Sequence, residues 1–199
     1  MMRLVLALFV ACSLVGSPLR ADPHVHGTLA PAALPGGSVY QLKLRLEPAA
    51  GPSLPLASFR GRPLVVTMFY STCTTVCPML ALAMSRTAAA LTSEERAGTS
   101  FLLVSFDAGR DTPAKLAEYQ ASHHLEAPTF VVAHASAGDV RALAAALGIR
   151  YRQLPDGSFS HASIITLLDR DGVPVTRTQV LAAEDEGFVA SLREALKRP

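Results

Sequence analysis

The sequence contains no tryptophan, and aromatic residues make up only 6% of its 199 residues. That scarcity argues against the aromatic stacking platforms with which proteins hold single-stranded nucleic acid. Charged residues are also few, at 17%, whereas hydrophobic residues make up 50%, which is typical of one globular domain with a sizeable core. The sequence has neither a Gly-x-Gly-x-x-Gly pattern nor a P-loop, so the commonest nucleotide-cofactor interpretations are excluded.

The first residues have the layout of a secretory signal peptide, which we predict over residues 1–21. Arg3 supplies the positive start, residues 4–16 form an apolar run, and small residues lead to a cleavage position after Ala21. The run is too short to span a bilayer comfortably. We therefore expect an exported, periplasmic protein, with membrane association only through an uncleaved signal or through lipidation of Cys12.

The formal net charge of +2 owes much to this signal, which carries Arg3 and Arg20 and no acid. Without it, sixteen basic residues face sixteen acidic ones, so the charge gives no reason to expect nucleic acid as a partner. Residues 22–38 are rich in Pro and Gly and predict a flexible leader, in which His24 and His26 are solvated. The predicted domain covers residues 39–199.

Within this domain, apolar runs of strand length alternate with helical patterns, which indicates an α/β fold. Thr112 followed by Pro113 has the form of a helix start, and Gly148 that of a helix end. Two turn sequences indicate hairpins. The predicted strands cover residues 39–46, 64–70, 100–106 and 129–133, the helices 78–91, 113–123, 139–147 and 184–197, and the hairpins 151–161 and 163–180.

Two cysteines lie outside the predicted signal, in the segment MFYSTCTTVCP. A buried strand leads into Cys73, and Pro78 is expected to place Cys77 at or just before the start of a helix. The amide groups and dipole of that helix should favour the thiolate of Cys77. In an oxidising compartment such a pair can be a disulfide, a redox couple or half of a metal site.

A third ligand has to come from elsewhere, and His161, before the strand SIITLL, is the best candidate. In thioredoxin-like domains this segment packs beside the cysteine loop, where thiol oxidoreductases usually carry a cis-proline. Two thiolates and an imidazole suit copper, whereas zinc prefers a fourth ligand. The prediction is a thioredoxin-like fold, with a central mixed sheet flanked by helices and an extra hairpin that carries the ligand His.

Other polar side chains receive more ordinary interpretations. We expect His123 and His124 to interact with carbonyl groups at a helix end, and His134 to lie in a loop. Asp111 should help to start the Thr112 helix, while Asp107 is a weaker candidate for a place near the metal. Among the methionines near the cysteines, we expect Met68 and Met84 in the core. Met79 stays open as a ligand.

Together, the motifs MFYSTCTTVCP, FDAGRDTP and SHASIITLLDRDG resemble those of the SCO/SenC family of copper-handling proteins. The resemblance runs from Val39 to the C-terminus, with Ala108 where the family often has Pro and Ser160 where it often has an acid. It implies Cys73, Cys77 and His161 as copper ligands, with a Cys73–Cys77 disulfide in the oxidised, metal-free form. It also implies copper delivery to the copper-binding subunit of cytochrome c oxidase or to another periplasmic copper protein.

Two other functions stay open on the sequence. A periplasmic thiol–disulfide oxidoreductase, which keeps the cysteines of a partner reduced, would use Cys73 and Cys77 but would not need His161. A plain exported binding domain would require an inert cysteine pair. The behaviour of a His161 variant distinguishes the oxidoreductase from a copper metallochaperone. Thiol alkylation rates distinguish the binding domain from both.

Overall fold

A computed structural model describes residues 33–198. The predicted signal peptide, Cys12, His24 and His26 lie outside the described residues, as does most of the predicted leader. None of the helices within residues 33–198 is long and apolar enough to cross a bilayer.

Nine strands form two sheets within the described part of the chain. Seven of them build one mixed sheet in the order β2-β1-β5-β4-β3-β8-β9, and the other two pair as a separate hairpin sheet, β6-β7. The strands are β1 (Arg45–Pro48), β2 (Leu54–Pro55), β3 (Leu64–Phe69), β4 (Ser100–Ser105), β5 (Phe130–His134), β6 (Tyr151–Gln153), β7 (Phe159–His161), β8 (Ile165–Leu168) and β9 (Pro174–Thr178).

Five α-helices of the described chain flank the large sheet, and their ends follow local sequence signals. Thr112 accepts a hydrogen bond from the Lys115 amide at the start of α3, and Gly148 ends α4 with a φ of 70° that favours glycine. The helices are α1 (Val76–Ala89), α2 (Ser93–Ala97), α3 (Pro113–Ser122), α4 (Ala137–Leu147) and α5 (Glu186–Lys197), with 3₁₀ turns at Val39–Leu42 and Leu56–Phe59.

The centre of the core is the parallel pair β3 and β4, in which every residue is buried. Their runs are mostly apolar, with Thr67, Ser100 and Ser105 as the polar residues, because both faces of a parallel sheet are covered. Phe69 at the end of β3 lies opposite Ser105 at the end of β4, so the segments that follow both strands leave the same edge of the sheet. Strand β8 runs antiparallel to β3, with Ile165 opposite Thr67, so the segment that enters β8 reaches this edge too.

The structure confirms the α/β, thioredoxin-like prediction and the hairpin that carries His161, but the strand predicted over residues 39–46 is wrong. Residues 39–42 form a 3₁₀ turn, and Lys43 has a φ of 47°, so β1 begins only at Arg45. The cause is tertiary: the Ser38 hydroxyl donates to the Asp171 carbonyl, and the Val39 amide donates to the Gly172 carbonyl. These contacts with a distant turn bury Tyr40 without strand geometry.

Candidate metal centre

The cysteine loop, residues 70–75, connects β3 to α1 and holds the two sulfurs against each other. The Cys73 amide donates to the Tyr70 carbonyl at 3.2 Å, and the Cys77 amide donates to the Cys73 Sγ at 3.4 Å. Both thiols are buried and free. The loop and the first turn of α1 therefore present two reduced sulfurs, joined through the Cys77 amide.

The position of Cys77 differs from the prediction, because α1 begins at Val76 and includes Cys77 in its first turn. Pro78 occupies the third helical position, where the amide that proline lacks has no partner within the helix. The helix can therefore start two residues earlier than the proline suggests, and its first amides point back into the cysteine loop.

Those amides stabilise the thiolate of Cys73 rather than that of Cys77, contrary to the sequence prediction. Burial opposes ionisation of Cys73, but hydrogen bonds from the amides of Cys77, Thr75 and Val76 lower its pKa to about 7. Burial raises the pKa of the Cys77 thiol, and its neighbour Cys73 adds to the rise. The pair therefore combines one readily ionised thiol with one that stays protonated at neutral pH in the absence of a metal.

A buried carboxylate that the sequence interpretation treated as a helix-start residue fixes the cysteine loop. Asp111 is fully buried and accepts the Ser71 amide at 2.9 Å, together with the hydroxyl groups of Ser71 and Ser105. It thereby joins the loop after β3 to the end of β4. Ser71 lies within the motif MFYSTCTTVCP and Ser105 at the end of β4, and only the proximity of the two strand ends could have indicated their contact with Asp111.

Tyr119 supports the cysteine loop from α3. Its hydroxyl donates to the Cys77 carbonyl at 3.1 Å, and its ring packs on Phe69 and His123 at centroid distances of 4.4 Å and 4.1 Å. His123 itself donates from Nδ1 to the Tyr119 carbonyl at 2.9 Å, which confirms its predicted place at a helix end. His123 therefore belongs to the support of the site.

His161 brings its imidazole to the sulfur of Cys77, across the sheet edge from the cysteine loop. Its Nε2 lies 3.8 Å from the Cys77 Sγ, while Nδ1 lies 3.3 Å from the Ala162 carbonyl. Because a carbonyl can only accept, this contact assigns the proton to Nδ1 and leaves the Nε2 lone pair facing the sulfur. Burial lowers the pKa of His161, which favours the neutral ring that a metal requires.

The spacing between sulfur and nitrogen suits one shared ion. Metal–sulfur and metal–nitrogen bonds of about 2.3 and 2.0 Å, set about 120° apart, separate the two donor atoms by about 3.7 Å. The Cys77–His161 distance of 3.8 Å agrees with this value. Within residues 33–198 no three Cys, His, Asp or Glu side chains form a complete cluster in this structure, so binding of one ion by all three candidates requires a side-chain adjustment.

Aromatic rings and one arginine hold the histidine hairpin, β6-β7, against the sheet edge. Phe106 stacks on Tyr151 at 4.6 Å and lies 5.0 Å from His161, measured between ring centroids. Arg110 pairs with Asp107 and also donates to the Gly157 carbonyl in the hairpin turn. Asp107 therefore acts on the hairpin through Arg110, and neither Phe106 nor Arg110 was singled out by the sequence interpretation.

The remaining candidates lie elsewhere. Met68 and Met84 are in the core as predicted, whereas Met79 is 42% exposed on the surface of α1. His134 was expected in a loop, but it is the last residue of β5, because β1 pairs there and Glu47 lies opposite it. The amide of His124 donates to the Ala121 carbonyl at the end of α3.

The fold and site define a thioredoxin-like domain with a Cys-x-x-x-Cys-Pro loop and a histidine at the facing hairpin. The family model described as SCO1/SenC matches residues 40–197, and the chain belongs to this family. No curated protein sequence matches the chain significantly.

Solved structures of the family share this fold at low sequence identity. Bradyrhizobium japonicum ScoI, solved with copper bound, is 23% identical with a TM-score of 0.66, over 76% of this chain and 96% of that one. A SCO1/SenC family lipoprotein from Bacillus anthracis is 16% identical with a TM-score of 0.70, over 77% and 92%. BsSco, described as a cytochrome c oxidase assembly protein with a disulfide switch, is 18% identical with a TM-score of 0.67, over 78% and 92%.

Proposed function

We propose that this protein is an exported copper metallochaperone, which binds one copper ion through Cys73, Cys77 and His161 and delivers it to the copper centre of cytochrome c oxidase. The observation that carries the proposal is the 3.8 Å contact between the Cys77 Sγ and the unprotonated Nε2 of His161. The copper-bound ScoI structure and the assembly role of BsSco support the identity of the cargo and of its recipient.

The donor set is suited to copper that has to be passed on. Two sulfurs favour Cu(I), and the imidazole adds affinity for Cu(II), whereas the described cysteine loop and hairpin supply no fourth ligand that zinc prefers. Copper binding displaces the proton of Cys77, which burial otherwise retains, and adds no proton change at the neutral imidazole. The copper–thiolate bonds compensate for this deprotonation.

Burial sets the order in which a recipient can replace the ligands. Cys77 is fully buried, Cys73 is 7% exposed, and His161 is partly exposed on the hairpin. A recipient therefore meets His161 and Cys73 first and reaches Cys77 last. Such stepwise replacement moves the ion without ever leaving it uncoordinated, which is what transfer between proteins requires.

The test is the copper content of the reduced full chain after loading with Cu(I) and with Cu(II). We expect one copper per chain in the wild type, and little retained in C73S, C77S and H161A after dialysis against a competing chelator. H124N is the matched histidine control, because Asn tolerates the φ of 52° at that position. Unchanged copper content in all three ligand variants would refute the proposal.

A thiol–disulfide oxidoreductase is the second candidate, and one observation favours it. The Cys73 thiol has a pKa near 7 and lies beside a protonated Cys77, an arrangement that suits attack by one sulfur and resolution by the other. Against it, the segment between His161 and β8 contains no proline. H161A separates the candidates: reduction of a disulfide substrate at the wild-type rate supports thiol exchange, whereas loss of copper transfer with both thiols titratable supports the metallochaperone.

Export, a periplasmic location and possible anchoring belong to the same proposal. They rest on the predicted signal segment and on the lipoprotein relative from Bacillus anthracis. Fractionation of cells that express the full chain, with C12S as the variant without a lipidation site, tests them. Loss of membrane association in C12S indicates acylation, whereas a periplasmic product of unchanged mobility indicates simple cleavage.

A further inference from the structure

We infer that an arginine-lined groove at the histidine hairpin docks an acidic segment of the protein with which this chain exchanges copper. The inference rests on the proposed function and adds the chemistry of the partner's surface. The groove is lined by Arg150, Tyr151, Arg152, Ser160, His161 and Ala162.

The groove reaches residues of both faces of the hairpin, and the strand pairing places Arg152 on the face opposite the imidazole. Tyr151 pairs with His161 and Arg152 pairs with Ser160, and successive strand residues point to opposite faces. Tyr151 and His161 face inward, towards the ring of Phe106. Arg152 and Ser160 therefore face outward. Arg150 precedes β6, where its carbonyl accepts from the Ala162 amide, and it lines the same groove as Arg152.

The side chains of these two arginines are exposed and have no carboxylate partner within residues 33–198. The ion pairs among residues 33–198 do not include Arg150 or Arg152. In the neighbouring loop, the carboxylate of Asp107 forms an ion pair with Arg110. Guanidinium groups bind carboxylates in the bidentate manner, and no carboxylate is among the residues that line the groove. The groove thus lacks acidic side chains, and a partner can provide them.

The same charges argue against an entry path for a free metal ion. Guanidinium groups are donors only and stay protonated, so they do not ligate copper and they repel an approaching cation. An acidic segment of a partner cancels this repulsion as it docks, and it brings the partner's own ligands to the exposed side of His161. Such charge complementarity raises the rate of productive encounter and confers salt dependence.

The test measures binding of two fluorescein-labelled peptides to the reduced, copper-free full chain by anisotropy. One peptide is rich in glutamates, and its twin has glutamines instead. The variant is R150Q/R152Q, and the control is K197Q/R198Q. The control removes the same number of positive charges at the opposite edge of the sheet. Lys197 and Arg198 follow Leu196, whose carbonyl accepts from Arg170, and Arg170 lies just after the end of β8.

We expect the wild type and K197Q/R198Q to bind the glutamate peptide roughly tenfold more tightly than its twin at low ionic strength, with the preference lost in R150Q/R152Q and at high salt. Equal binding of both peptides by the wild type, an unchanged preference in R150Q/R152Q or an equal loss in the control overturns the docking site. Copper content is measured in parallel: a protein that shows the arginine-dependent preference but binds no copper contradicts the proposed function instead.

Discussion

The cysteine loop and the histidine hairpin carry the candidate ligands in physically different ways. Hydrogen bonds to a buried carboxylate, Asp111, and to the first amides of α1 fix the loop. The hairpin is a separate two-stranded sheet held by the ring of Phe106 and by Arg110. The comparison teaches that the thiol chemistry depends on a polar network, whereas the placement of the imidazole depends on aromatic packing and one charged contact.

Removal of the carboxylate of Asp111 should cause the largest loss in the free energy of unfolding. D111A leaves the Ser71 amide and two hydroxyl groups without their acceptor, and we expect a loss of about 4 kcal/mol in the free energy of unfolding. Urea denaturation measures this loss. The matched control is D139A, in the first turn of α4, which should cost less than about 1 kcal/mol. Equal effects in the two variants would contradict the structural role of Asp111.

Truncation of Phe106 tests the aromatic half of the comparison. F106A removes a 5% exposed ring that packs on Tyr151 and His161, so we expect a loss of about 3 kcal/mol and weaker copper binding. F106L retains apolar volume and should recover most of both quantities. Urea denaturation and a chelator competition measure them. Copper affinity that stays at the wild-type value in F106A would show that the hairpin is positioned by other contacts.

The pH dependence of alkylation distinguishes the two thiols within the cysteine loop. The thiolate fraction of Cys73 rises with pH through its pKa of about 7, so its reaction with iodoacetamide should be half-maximal near neutrality and slow below it. Cys77 should react slowly throughout the neutral range because burial raises its pKa. Mass spectrometry of C77S and C73S gives each rate separately. A lower midpoint for Cys77 than for Cys73 would reverse this assignment.

Removal of the Tyr119 hydroxyl should cause the smallest loss in the free energy of unfolding. Y119F removes its hydrogen bond to the Cys77 carbonyl but keeps the ring on Phe69, so we expect a loss of about 1 kcal/mol and unchanged copper content. Urea denaturation and metal analysis are the measurements. A complete loss of copper in Y119F would place Tyr119 among the groups that the metal site requires.

Elements whose signals are local were predictable from the sequence. The strands β6 and β7 have the predicted bounds because a Pro-Asp-Gly turn separates them, and α3 begins at Pro113 behind its Thr112 cap. The sequence also indicated three candidate residues of the site and its surroundings, Asp107, Asp111 and His161. The contact of Asp111 with Ser71 was not predicted, because it joins segments 40 residues apart in the chain.

The two local errors also have long-range or cooperative causes. The turn at residues 39–42 forms because Gly172 accepts the Val39 amide, a contact invisible to periodicity. Cys77 lies inside α1 because a proline in the first helical turn removes an amide that has no helical partner. That second difference changes the chemistry, since it directs the helix amides to the sulfur of Cys73.

The most direct measurement of the central claim is the electron paramagnetic resonance spectrum of the Cu(II)-loaded full chain, wild type beside H161A and H124N. If Cys73, Cys77 and His161 share one ion, the wild type and H124N show sulfur ligation together with nitrogen coupling from one imidazole, and H161A loses that coupling. The same nitrogen coupling in H161A as in the wild type would contradict the account.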